Sequence, residues 1–196
     1  MNNHHRFQQV IEAIDLTNQQ DPNTVELEEQ VIAKELLYGQ RMSACLLAFQ
    51  PSAAELLQIA CRAQHIQRWS LPRRDYPMDR SGYHRWRTDL AKHHATLTAQ
   101  LMSDCGYSAD EQARVQSLLQ KKQLKQDEEA QTLEDVACLV FLRHHLEGFA
   151  SQHETDKIIN IIRKTWNKMS ADGQAAALKL PLSAAMSKLV GQALGA

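Results

Sequence analysis

In nearly every segment of this chain the apolar residues return at intervals of three and four, the period of a helix that turns one face to a core. No run alternates apolar and polar positions with the β-branched enrichment of a strand. That single regularity predicts an all-α fold. The spacing places helices at about 4–19, 26–49, 53–69, 82–103, 109–122, 132–150, 155–170 and 182–194, separated by Asp21-Pro22-Asn23, Pro51-Ser52, Pro72, Pro77, Gly106, Gly173 and Pro181. Ser52 and Ser108 are expected N-caps.

At 196 residues the chain suits one compact multi-helix domain spanning 1–196. Its core is expected at about 26–150, with the helices of 151–196 packing on it through Ile158, Ile161, Ile162, Thr165 and Trp166 or pairing with a second copy as a homodimer. Twenty-two Lys and Arg against 23 Asp and Glu leave a net charge of −1, so no global field points to nucleic acid or an anionic membrane. Cys45, Cys61, Cys105 and Cys138 form no CxxC pair, which argues against a zinc ribbon and a disulfide framework. No window reaches the ~20 apolar residues of a membrane span, and the N-terminus lacks a signal-peptide pattern. A cytoplasmic protein is expected.

Local chemistry is concentrated in AQHIQRWSLPRRDYPMDRSGYHRWRTDLAKHHA, residues 63–95, which holds four histidines. On a helix His65, Arg68 and Trp69 would share one patch at i, i+3 and i+4. His94 falls inside the stripe of Trp86, Leu90, Leu97 and Leu101 and is expected to point inward, with His93 at its edge. A buried imidazole needs a partner, which can be a metal or a core hydrogen bond. Seven basic residues from Arg68 to Lys92 face only Asp75, Asp79 and Asp89. Arg73, Arg80 and Arg87 would suit phosphate, and Tyr76, Tyr83 and Trp86 could stack on an organic group. Further on, Glu134-Asp135 opens the all-round apolar run VACLVFL. Thr132-x-x-Asp135 fits a capping box, and a metal ligand is the other reading. Glu35, Tyr38 and Arg41 lie on one helical face, more in the manner of a surface array than of a site.

The order His65, His93-His94, Gly106-Tyr107 and KKQLKQDEEAQTLEDVACLVFL resembles the histidine-aspartate superfamily of helical metal-dependent phosphohydrolases over about residues 50–150. The last ligand of that superfamily lies in a segment like D-x-x-A-Q-x-L-x-D-A-D-x-L. Asp127, Ala130, Gln131, Leu133, Asp135 and Leu139 stand in the matching places. The whole chain resembles the domain-of-unknown-function family 4202 through QHIQRW, PRxxYP, GYxxWR, KKxLKxD and QTLEDVxCLVFL. The signature His-Asp pair is missing, because His94 precedes Ala95.

The resemblance implies a helical core like that superfamily's and a metal-dependent phosphohydrolase acting on a small phosphorylated metabolite or nucleotide. His65, His94 and Asp135, with His93 adding a ligand, would hold a divalent transition metal (Zn, Mn, Fe, Co or Ni) that activates water. Glu134 would take the proton, and Arg68, Trp69, Arg73, Tyr76, Arg80, Tyr83 and Arg87 would bind the substrate. The alternatives are a di-iron oxygenase of the same superfamily, a non-catalytic binding protein for an anionic metabolite, and a purely structural set of histidines.

Overall fold

The computed structural model describes residues 3–27, 29–124 and 126–195. The chain forms two compact units, residues 1–130 and 131–196. The division falls in the first turn of a helix.

The first unit opens with α1 (Asn3–Asn18) and continues through α2 (Lys34–Phe49), α3 (Glu55–Arg62), α4 (Arg80–Asp104) and α5 (Ala109–Leu119). Its core is the apolar side of these helices: Val10, Ile14, Met42, Leu46, Leu57, Ile59, Met102, Val115 and Leu118 are completely buried. α5 packs on both α3 and α4, and α1 touches α2, α3 and α4. Ser108 caps α5 as expected, its hydroxyl accepting from Glu111 N while Glu111 answers the Ser108 amide. Ser52 is not a cap, since α3 starts after Ala54, which provides no side-chain acceptor.

Two departures from the periodic reading, and one loop that keeps to it, shape this unit. An antiparallel hairpin, β1 (Thr24–Leu27) paired to β2 (Gln30–Ala33), replaces the start of the helix expected at 26–49. Its connection places Glu29 at φ 68, a left-handed turn geometry that a helix does not contain. Val31 is 67% exposed, so no buried face imposed the alternation by which strands are read. The helix expected over 53–69 ends at Arg62, and the chain coils through Gln67 at φ 49 into a 3-10 turn at Arg68–Ser70. The buried Asn18 holds that bend by accepting from Gln67 N at 3.0 Å. Finally, the loop of 71–79 lies on α4. Trp86 Nε1 donates to Leu71 O at 2.8 Å, and Asp79 caps the helix by accepting from Gly82 N at 2.6 Å. A Cβ on Gly82 would sit 2.0 Å from the Pro77 carbonyl oxygen, so only glycine admits this approach.

α6 (Glu128–His144) begins where Asp127 accepts from the Glu129 and Ala130 amides. The second unit contains most of α6 together with α7 (Leu146–Ala150), α8 (Thr155–Trp166), α9 (Ala171–Ala177) and α10 (Ala184–Leu194). α8 packs on α7 and α10. Leu133, Val136, Leu139, Val140, Ile158 and Ile162 are buried here, in keeping with the all-round apolar character of VACLVFL. Among the described residues no helix is long and apolar enough to cross a membrane.

A cationic cavity walled by histidines

The coil at 63–70 turns His65 back toward α2 and Arg68 toward α4. His65 stacks on Tyr38 with ring centroids 3.9 Å apart and an interplanar angle of 11°. Its Nδ1 lies 3.2 Å from Glu35 Oε2, and its Nε2 lies 2.9 Å from Arg68 Nη1. A guanidinium can only donate, so Nε2 accepts from Arg68 and the ring proton sits on Nδ1, facing Glu35. The residues run in series: carboxylate, imidazole, guanidinium. Arg68 also lies over the Trp86 ring, 4.8 Å from its centroid, a contact that favours a cation. Burial pulls the Arg68 pKa down while Glu35 pushes it up. Burial, and then the Glu35 charge, raises Tyr38.

His94, 4% exposed, points inward from α4 as its stripe predicts. Its Nδ1 is 2.7 Å from Ile66 O. A carbonyl accepts only, so Nδ1 carries the proton and the lone pair resides on Nε2. Burial holds its pKa well below the ordinary histidine value, with the His65, His93 and Arg68 charges acting in the same direction and the Ile66 bond opposing them. The His65 and His94 centroids are 6.1 Å apart. His93 is half-buried, 3.2 Å from Ser70 Oγ, and its pKa is also lowered by burial.

These side chains border a cavity of about 340 Å³, at the small end of ligand pockets. Arg68, Arg87, Lys92, Lys121 and Lys122 contribute its charge, and no Asp or Glu is among the described residues that line it. His65, His84 and His94 add imidazoles, and Gln64, Thr88 and Gln120 add uncharged polar groups. The two lysines stand in the α5–α6 connection, where Lys121 and Gln123 adopt φ of 53 and 56. That left-handed geometry is uncommon outside glycine and accumulates at functional sites.

Of the residues singled out in the sequence, His65, His94, Arg68 and Arg87 meet at this cavity. Arg73 and Tyr76 instead organise the neighbouring loop. Arg73 donates to Tyr76 O at 3.0 Å and Asp79 O at 3.3 Å, and the Tyr76 hydroxyl donates to Asp89 at 3.2 Å. Tyr83 is exposed, and its ring meets His84 in a T-shaped contact and Trp86 at a tilt. Arg80 is exposed and Trp69 half-buried, and neither lines the cavity. Glu35 and Tyr38, read as a surface array, are the groups that set His65. Their i, i+3 spacing was the available signal, and the KK of KKxLKxD was the signal for the lysines.

Glu134 and Asp135 belong to a different arrangement in the second unit. Asp135 accepts from Ser170 N at 2.8 Å, Ser170 Oγ at 2.5 Å and Gln131 Nε2 at 3.0 Å. Ser170 Oγ in turn accepts from Gly173 N as the cap of α9, and Gln131 also donates to Lys168 O. Glu134 is paired with Lys168 at 3.6 Å. The expected capping box at Thr132 does not form, because α6 begins four residues earlier. Asp135 is a buried acceptor that ties α6 to the turn before α9.

The donors expected for a divalent ion do not fit one in this arrangement. Both nitrogens of His65 are engaged, one by a permanent cation, and the Asp135 oxygens hold a serine and a glutamine. Among the described residues no three His, Cys, Asp or Glu side chains form a group that could hold an ion. Among the described residues His94 Nε2 makes no hydrogen bond.

A family model described as a domain of unknown function (DUF4202) matches residues 8–190. No curated protein and no solved structure matches the chain.

Proposed function

From the premise that the chain belongs to the domain-of-unknown-function family 4202, we propose that its first unit binds a small phosphorylated metabolite or nucleotide in the cavity at His65 and His94. One observation carries this reading: five cationic side chains and three histidines wall a space of about 340 Å³ whose described lining contains no carboxylate. Like charges gathered around a concave, partly desolvated space repel one another, and a polyanion relieves that repulsion. Arg68, held on the Trp86 face and by His65, is pre-oriented to meet phosphate through two N–H groups. Arg87, Lys92 and Lys122 are exposed and supply charge at the rim. Gln64, Thr88 and Gln120 face the remainder of the ligand with neutral donors and acceptors.

The reading keeps the substrate class of a metal-dependent phosphohydrolase and leaves out the ion, since an ion at His65 would have to displace Arg68. A di-iron oxygenase would need still more donors. The test is thermal unfolding of the full chain with inorganic phosphate, ribose 5-phosphate and adenosine 5′-monophosphate, against chloride at matched ionic strength. A ligand at a hundred times its Kd stabilises a folded protein by about 2.7 kcal/mol, which a melting curve resolves. Saturable stabilisation by the phosphorylated compounds, needing about tenfold more ligand in Arg68→Ala, is the expected result. Equal shifts from chloride, or none from any phosphate, would overturn the proposal.

A further inference from the structure

We propose that His94 Nε2 is a phosphoryl acceptor, so that the cavity supports group transfer through a phosphohistidine. This inference rests on the phosphorylated-ligand reading and adds to it a covalent step at a named atom. Histidine is among the side chains that form covalent intermediates when a neighbour fixes its tautomer and leaves its lone pair accessible.

His94 meets both conditions. The Ile66 carbonyl, 2.7 Å from Nδ1, keeps the proton there and the electron pair on the opposite nitrogen. Nε2 makes no hydrogen bond within the described residues, and the ring lines the cavity. His65, with its centroid 6.1 Å away, is disqualified by its partners: Arg68 occupies its Nε2 and Glu35 faces its Nδ1. Burial also disfavours the His94 imidazolium. Arg68, held by His65 and over the Trp86 ring, would help to neutralise the phosphoryl oxygens as the nitrogen approaches phosphorus. A general-base role fits less well. It would leave an imidazolium whose Nδ1 faces a neutral carbonyl, whereas a phosphoryl group brings its own negative charge into the cluster.

The step balances without a metal or a redox partner. The Nε2 electron pair forms an N–P bond while the bond from phosphorus to the leaving oxygen breaks, its pair departing with that oxygen. Nδ1 keeps its proton on Ile66. An acyl or aryl leaving group departs as the anion, and an alkyl one takes a proton from water. In the second half a water oxygen attacks phosphorus and the N–P pair returns to Nε2. Inorganic phosphate leaves, and the proton passes to solvent.

The experiment incubates the full chain with acetyl phosphate, quenches it in alkali, and measures intact mass before mapping the modified peptide. In parallel, inorganic phosphate is tested for thermal stabilisation of the same preparations. The expected result is a single added phosphoryl group at His94, stable in alkali and lost in acid as a phosphoramidate is. His94→Asn retains an N–H for the Ile66 carbonyl but removes the lone pair, so it should lose the label. Labelling elsewhere, an acid-stable label, or a label that survives in His94→Asn would overturn the inference. Wild-type protein that phosphate stabilises but acetyl phosphate does not label would also overturn it and leave the binding reading intact. Protein that is neither stabilised nor labelled would overturn both. The acid and alkali readouts use the wild-type chain alone, so a variant that fails to fold does not protect the idea.

Discussion

The coil at Gln64–Ser70 and the helix entrance at Gln131–Asp135 draw on the same chemical vocabulary of buried, ionisable side chains, and the structure treats them in opposite ways. In the second, both Asp135 oxygens are saturated by Ser170 and Gln131, and Glu134 is paired with Lys168. In the first, a buried imidazole bonded through Nδ1 alone among the described residues lines a cavity crowded with positive charge. Buried polar groups are normally satisfied. A carboxylate completed by serine and backbone is therefore architecture, and the imidazole completed on one side only is the group to which we assign the proposed ligand.

The sharpest way to break this contrast is Asp135→Ala. It strands the Ser170 amide and hydroxyl in a buried site, and urea denaturation is expected to show a loss of about 3 kcal/mol with phosphate stabilisation of the first unit intact. If stability is unchanged and ligand response disappears, the two regions have been assigned the wrong way round. Gly173→Ala attacks the same joint by volume, because its Cβ would lie 2.6 Å from Asp135 Oδ1. A cost of about 2 kcal/mol is expected, with no effect on ligand binding. Arg68→Ala should do the reverse. Removing a charged hydrogen-bond donor costs roughly 1.5 kcal/mol of binding, so isothermal titration should show phosphate affinity lower by about tenfold. Lys122→Ala, at the exposed rim, should weaken binding by less than about threefold, a difference that vanishes at high salt.

Acidity probes the contrast from another side. His94 titrates below its ordinary range in the folded chain chiefly because it is buried, with His65, His93 and Arg68 acting in the same direction. Between its ordinary value near 6.5 and the lowered one, the unfolded chain binds a proton that the folded chain does not. Stability therefore rises with pH through that window and is lost as pH falls through it. His94→Asn should flatten that part of the profile in a urea series across pH. An unaltered profile would place the titrating group elsewhere.

Periodicity recovered α1, α4, α5 and α10 to within a few residues because each presents a continuous apolar face to its core. It failed where a distant partner decides. The end of α3 depends on Asn18, 49 positions from the Gln67 amide that it accepts, and no local window contains both. The hairpin failed for the opposite reason: its strands are largely exposed, so burial left no imprint on their order. At the site, His65 and Arg68 do meet as the sequence suggested, through a 3-10 coil and not along a helix. Asp135 was recognised as a buried carboxylate, but Ser170, its complement, follows 35 residues later and carries no mark of that role.

Gln67 stands at φ 49 between Ile66, whose carbonyl orients His94, and Arg68, whose guanidinium occupies His65. One backbone joint thus sets the tautomer of one ring and the occupancy of another. A deletion of a single residue there would disturb both at once, although neither histidine had been touched.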